Sequence, residues 1–205
     1  MVEKLREKGA VYRFTQVKMA QSSLRINGER VTIEEVEEVF DGKRHDEYIE
    51  NHFKLFDLML DTYEEPVTEE LLVSYDEALG FNGERRTRDK VVDKVAGCVP
   101  AESIDSAMTA LFKMRLAKFS DVIKFIVELE HIRPFESGSS EIARMIAYKE
   151  CLRLGLDPVV ISAGKKMPEY VTGLSRFEKD TASFMKYMRQ SRLAYKKAVE
   201  NFSEN

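Results

Sequence analysis

The chain predicts a mainly α-helical bundle carrying one short β-hairpin. Apolar residues recur at helical spacing along most of its length, and helix-opening and helix-closing residues bracket those runs. Only residues 81 to 100 combine a turn signal with β-branched residues. At 205 residues the chain fits one domain with a real core, and its 43% hydrophobic and 33% charged residues suit a folded protein. No repeat, low-complexity tract or Pro/Gly-rich linker interrupts it, so we divide it into an N-terminal arm, residues 1–14, and a single domain, residues 15–200.

Thr32-Ile33-Glu34-Glu35 has the spacing of a capping box and starts a helix at Ile33, with Val36, Val39 and Phe40 inward. Residues 46 to 62 follow with Ile49, Phe53, Phe56, Leu58, Met59 and Leu60 at helical spacing. Pro66-Val67-Thr68 opens another helix, through Leu71, Leu72, Tyr75, Ala78 and Leu79, which Gly80 closes. Phe81-Asn82-Gly83 is a turn signal; after it Arg85, Arg86 and Arg88 lead into Val91, Val92 and Val95 before Gly97, the expected hairpin. Helices resume at Ile104–Met114. Phe119–Leu129 is apolar around most of its circumference and belongs in the middle of the bundle. Another helix, carrying Ile142, Met145, Ile146, Cys151 and Leu152, ends near Gly155. Pro168 and Asp180 open the last helices, with Phe184, Met188, Tyr195 and Val199 facing the core.

Composition excludes several classes of function. Lys plus Arg total 32 against 36 Asp plus Glu, a net charge of −4 with pI near 5.6, which argues against nucleic acid as a partner. The clusters Arg85, Arg86, Arg88 and Lys186, Arg189, Arg192, Lys196, Lys197 read as solvated faces. No apolar run reaches the roughly 18–20 residues of a membrane span. The charged opening MVEKLREKGA is unlike a signal peptide and points to the cytoplasm, although specialised secretion would leave no such mark. Cys98 and Cys151 read as reduced, core-type thiols. His45 and His52 lie in a region without cysteine or clustered acids, which disfavours metal binding.

Between two buried helical stretches stands Arg133-Pro134-Phe135-Glu136-Ser137-Gly138-Ser139-Ser140-Glu141-Ile142-Ala143-Arg144. A Gly/Ser loop feeding a helix N-terminus can hold an anion, because unpaired N–H groups and the helix dipole converge there. Local features favour a plainer reading, in which Ser139 or Ser140 is the N-cap.

This stretch resembles the central motif of the Fic/Doc family (Fido fold), H-P-F-x-[D/E]-G-N-G-R-x-x-R. Pro134, Phe135, Gly138 and Arg144 match it in register. Thr87-Arg88-Asp89-Lys90-Val91 through Gly97 resembles the family's flap, and the likeness runs from about residue 15 to 195. It implies a protein that transfers AMP from ATP to a target hydroxyl, with ATP and Mg²⁺ as cofactors only if that activity is retained. Ser23-Leu24-Arg25-Ile26-Asn27-Gly28 resembles the family's inhibitory helix, [S/T]-x-x-x-E-[G/N]. Ser23 and Gly28 are in place, and Asn27 stands where a Glu would pair with the second motif Arg, here Arg144. Asn27 is able to hydrogen-bond Arg144 without supplying charge.

The departures fall on the chemistry. Arg133 holds the place of the family's general base, and a guanidinium cannot accept a proton at neutral pH. Ser137 holds the place of the Mg²⁺ carboxylate and is a poor ligand for a hard cation. Ser139 and Ser140 replace the Asn-Gly of the phosphate cradle, and Ser140 resists a glycine's special backbone angles if the position needs them. Glu141 replaces the first phosphate-clamping Arg and repels polyphosphate. His131, two residues before Arg133, points elsewhere and reads as a structural residue at a helix C-terminus. The expectation is a catalytically impaired protein that acts by binding, either a protein partner or a small anion at Arg133, Gly138, Ser139, Ser140 and Arg144, with no metal. The alternative is a nucleotidyl- or phosphate-group transferase of altered chemistry or donor, with Glu136 or Glu141 as base or acid. A plain helical interaction module, indifferent to loop and flap, is the third reading.

Overall fold

Helix α8, Ser139–Arg153, has almost no amphipathic face, because Ile142, Ala143, Met145, Ile146, Ala147, Tyr148, Cys151 and Leu152 are all buried. A helix buried on nearly every side belongs at the centre of a bundle. The computed structural model describes residues 1–89, 98–161 and 167–203 and places α8 there. Around it stand α1 (Val2–Arg6), α2 (Ala10–Ile26), α3 (Ile33–Phe40), α4 (Glu47–Asp61), α5 (Glu69–Ala78), α6 (Ile104–Phe112), α7 (Phe119–Ile132), α9 (Met167–Ser175) and α10 (Thr181–Ser203). The expected helical bundle is the fold found.

Helix starts follow the signals in the sequence. The Thr32 side chain accepts from the Glu35 N–H while the Glu35 carboxylate accepts from Thr32, a complete capping box. Asp46 and Thr68 cap α4 and α5 by accepting from the Ile49 and Leu71 N–H groups, and the Asp180 carboxylate accepts from Ser183 N–H at the start of α10. Helix α7 packs along α8, and α4 and α5 also lean on α8. A smaller apolar cluster, Val17, Ala20, Leu24, Val36, Val39 and Ile49, joins α2 to α3 and α4. Thr15, Tyr148 and Tyr195 tie α2, α8 and α10 together through hydroxyl contacts of 2.6 and 2.8 Å.

Several features differ from the sequence reading. The boundary drawn at residue 14 falls inside α2, and Leu5, Val11 and Tyr12 are buried in the main core. Cys98 is only half-buried, whereas Cys151 is fully buried and its thiol is pushed up to about 12 by burial, which makes it inert. The valines of the expected hairpin lie outside the described residues. What is described of that region is one antiparallel bridge, between Arg85 and Phe135.

Arg86 is the clearest correction. It is only 2% exposed rather than part of a solvated face. Its guanidinium donates to the carbonyls of Arg133 (2.8 Å), Ile132 (3.0 Å), Arg88 (2.9 Å) and Val99, while its backbone N–H donates to Pro134. Carbonyls at a helix C-terminus have no partner within the helix. One side chain therefore closes the end of α7 and fixes the 84–89 segment against it. Arg85 sits over the Phe135 ring and pairs with Glu69.

Replacing Arg86 by Ala removes the side-chain donor from these carbonyls, the buried one of Ile132 among them. Arg86→Ala is expected to lower stability by about 3 kcal/mol, measured by urea unfolding, and Arg86→Lys is expected to recover less than half of that loss.

Candidate functional site

The loop between α7 and α8 is short because both helices run further than their sequence pattern indicated. Only residues 133–138 are outside helix, since α7 ends at Ile132 and α8 begins at Ser139. Proline disfavours helix in the residue before it, so α7 stops ahead of Arg133-Pro134. Arg133 takes the left-handed conformation at φ 45°, uncommon for a residue with a side chain, and its N–H still bonds Leu129 at 2.9 Å. Phe135 is buried, and its N–H donates to Ser139 Oγ at 3.1 Å.

The α8 N-cap is Gly138 at φ 72°, not Ser139 or Ser140. A Cβ at Gly138 would lie 2.5 Å from Asp76 Oδ1 and 3.1 Å from the Phe81 ring, so this site admits only glycine. Ser140, by contrast, is an ordinary helical residue, and no backbone strain accompanies its side chain.

The side chain that organises the loop is one the sequence reading passed over. Glu130, on α7, is 1% exposed. Its Oε2 accepts from Ser140 Oγ at 2.7 Å and from Arg133 Nη2 at 3.3 Å; its Oε1 accepts from Tyr170 Oη at 2.9 Å and lies 3.9 Å from Arg144 Nη1. Burial and the nearby Glu130 charge push the Tyr170 phenol well above its usual range, so it remains a donor. A buried carboxylate needs this kind of saturation by charge and hydrogen bonds. A signal was present: Ile123, Val127 and Glu130 share one helical stripe, so an acid lies on the buried face.

Arg144 is equally committed. Its Nε and Nη2 donate to Ser23 Oγ at 3.1 and 2.8 Å, and Nη2 also donates to Asn27 Oδ1 at 2.9 Å. The Asn27–Arg144 hydrogen bond is thus formed. The Asn27 amide nitrogen donates in turn to Glu141, which also accepts from Tyr48 Oη at 3.0 Å. Burial, then Glu141, push the Tyr48 phenol up to about 12, which keeps it a donor. Gly28, at φ 100°, ends α2 just beyond Asn27. The end of α2 therefore covers Arg144 and Glu141 together.

The remaining predicted residues lie apart from this cluster. Ser137 is exposed. Glu136 is exposed too, and its carboxylate accepts from the Thr87 N–H at 3.2 Å. His131 is in the last turn of α7, where its carbonyl accepts from Val99 N–H.

This donor set does not fit Mg²⁺. Ser137 is neutral, Glu130 and Glu141 are buried with other partners, and Glu136 accepts from the Thr87 N–H. No group of three His, Cys, Asp or Glu among the described residues is arranged to hold a metal ion. No helix of the described chain is long and apolar enough to cross a membrane. Of the C-terminal basic cluster, Lys186, Arg189 and Lys197 are exposed, Arg192 lies over the Phe119 ring, and Lys196 pairs with Asp157.

Removing the charge of Glu130 strands two arginines without their shared counter-charge. Glu130→Gln is expected to cost about 3 kcal/mol in urea unfolding, more than Ser140→Ala, which removes one hydrogen bond worth about 1 kcal/mol.

No family model and no curated protein matches the sequence. Solved structures do match. A Fic family protein from Desulfovibrio desulfuricans superposes with a TM-score of 0.79 at 22% identity, over 96% of this chain and 68% of that one. A Fic domain containing signaling protein from Bacteroides thetaiotaomicron gives 0.76 at 13% identity, over 97% and 87%. Fic-1 from C. elegans gives 0.74 at 14% identity, over 99% and 71%. The helical bundle built around α7, the 133–138 loop and α8 is the Fic fold.

Proposed function

We propose that this Fic-fold protein does not transfer AMP and acts instead by binding another protein, with its motif loop kept as a rigid structural element. The observation that carries the reading is the internal neutralisation of the loop's cations. An anion-binding site needs donors that point at the ligand and find no better partner inside the protein. Arg133 is turned onto Glu130, while Arg144 is held by Ser23 and Asn27 with Glu130 and Glu141 close by. A phosphate entering there would have to displace a carboxylate already held in place by its own hydrogen bonds. The same contacts weigh against the small-anion form of the binding hypothesis.

The chemical requirements for AMP transfer fail independently. A guanidinium at 133 takes no proton from a target hydroxyl. Glu141, a conceivable substitute base, is 6% exposed and bonded to Asn27 and Tyr48. Glu136 is accessible but engaged with Thr87. Neither carboxylate is free to meet both a hydroxyl and a phosphate.

Incubation with Mg²⁺ and ATP labelled in its α-phosphate is expected to leave both this protein and added proteins unlabelled, and millimolar ATP, AMP or phosphate to shift the melting temperature by less than about 1 °C. Efficient Mg²⁺-dependent labelling contradicts the reading. Arg133→His alone is expected to restore no labelling, since Ser137, Ser140 and Glu141 remain. Gain of activity in that variant would mean the rest of the site is intact.

A further inference from the structure

Beside the Arg144–Ser23 contact lies a pocket of about 20 Å³, formed where α2, α4 and α8 meet the 159–161 segment. Its polar wall is Ser22 and Ser23 of α2, His52 of α4, and Glu141 and Arg144 of α8. Two side-chain atoms of these lining residues, His52 Nε2 and Ser22 Oγ, find no hydrogen-bond partner within the protein. Both residues are more than nine-tenths buried, at 4% and 2% exposed. Buried polar groups in folded proteins are nearly always satisfied, so two facing one small pocket call for a cause.

The chemistry of His52 specifies what the pocket takes. Its Nδ1 lies 2.9 Å from the Tyr48 carbonyl oxygen. A carbonyl only accepts, so Nδ1 carries the hydrogen and Nε2 presents a lone pair. Burial pulls the imidazole below its ordinary range, which keeps it neutral at pH 7. The guest must therefore donate to Nε2 and also pair with a hydroxyl. The volume suits one water molecule.

We propose that this pocket is a built site for a single water, donating to His52 Nε2 and paired with Ser22 Oγ, and that this joint seats the C-terminal half of α2 on α8 in a proton-sensitive way. The charged and titratable groups facing His52 are Tyr48 on its own helix and Glu141 and Arg144 on α8; α2 contributes Met19, Ala20, Ser22 and Ser23, none of them charged, and Val159, Val160 and Ile161 are apolar. Protonation puts a second buried cation beside Arg144, whose neighbouring carboxylates are already shared. A histidine whose folded pKa lies below its unfolded value of about 6.5 leaves stability intact above that pH and removes it as pH falls below. The part of the fold that responds is the joint itself, residues 19–28, including Ser23 and Asn27 over Arg144. This inference rests on the pocket alone and stands whether or not a nucleotide binds.

A crystal structure of the full chain at neutral pH is expected to show a water within hydrogen-bond distance of both atoms. A dry pocket, or another side chain on Nε2, overturns the proposal. Hydrogen exchange, corrected for intrinsic rates, supplies the second readout. Amides 19–28, referenced to those of α7, are expected to exchange at least about fivefold faster at about pH 5.5 than at about pH 7.5, and the acceleration is expected to vanish in His52→Gln. An unresponsive wild type, an equal acceleration in α7, or the same response in His52→Gln overturns it. Should His52→Gln fail to fold, the ¹⁵N shift of Nε2 in the wild type decides: an unprotonated acceptor at neutral pH supports the proposal, and a protonated nitrogen refutes it.

Discussion

Glu130 is the side chain on which the loop depends. A carboxylate buried to 1% exposure is tolerated only when its charge and lone pairs are satisfied, and here the satisfying groups come from three elements: Arg133 after α7, Ser140 and Arg144 on α8, and Tyr170 on α9. The loop shape, the seat of α9 and the direction of two arginines are joint consequences of that one requirement. Arg86 completes the arrangement from the other side by holding the carbonyls at the end of α7. Between them, a buried carboxylate and a buried guanidinium fix the loop from two sides.

The substitutions in this loop form a set. Arg133, Ser140 and Glu141, which the motif resemblance aligns with a base, a glycine and a clamp, each have an internal partner. Arg133 and Ser140 share Glu130, while Glu141 meets Asn27 and Tyr48. Asn27 bridges Arg144 and Glu141 by donating to one and accepting from the other, which only an amide does at that place. A carboxylate there would confront Glu141, so an uncharged Asn27 and an acidic Glu141 are physically matched. These polar side chains serve as structure, each satisfied by a partner inside the protein.

Much of the bundle was legible because its signals are local. Thr32 with Glu35, Asp46, Thr68 and Asp180 cap helices at the positions the sequence marks, and the apolar periodicity of 119–129 and 142–152 identifies the two central helices. Gly138, Arg144 and Asn27 were legible through motif register. Glu130 and Arg86 were not, for different reasons. Glu130 sits on an inward stripe whose apolar character dominates the pattern. Arg86 lies 47 residues from its acceptor at Arg133, a pairing fixed by tertiary structure alone. Charged residues read one at a time look solvated; only the packed fold reveals which of them are buried.

The Glu130 carboxylate of α7 occupies the cations an incoming phosphate would need. A crystal structure of the protein grown from concentrated sulfate tests it most directly, since sulfate reports any free anion cradle. Arg133 is expected to remain on Glu130, with no anion at the start of α8. An ordered sulfate held by the residue 138–141 amides, with Arg133 or Arg144 swung onto it, would contradict the account.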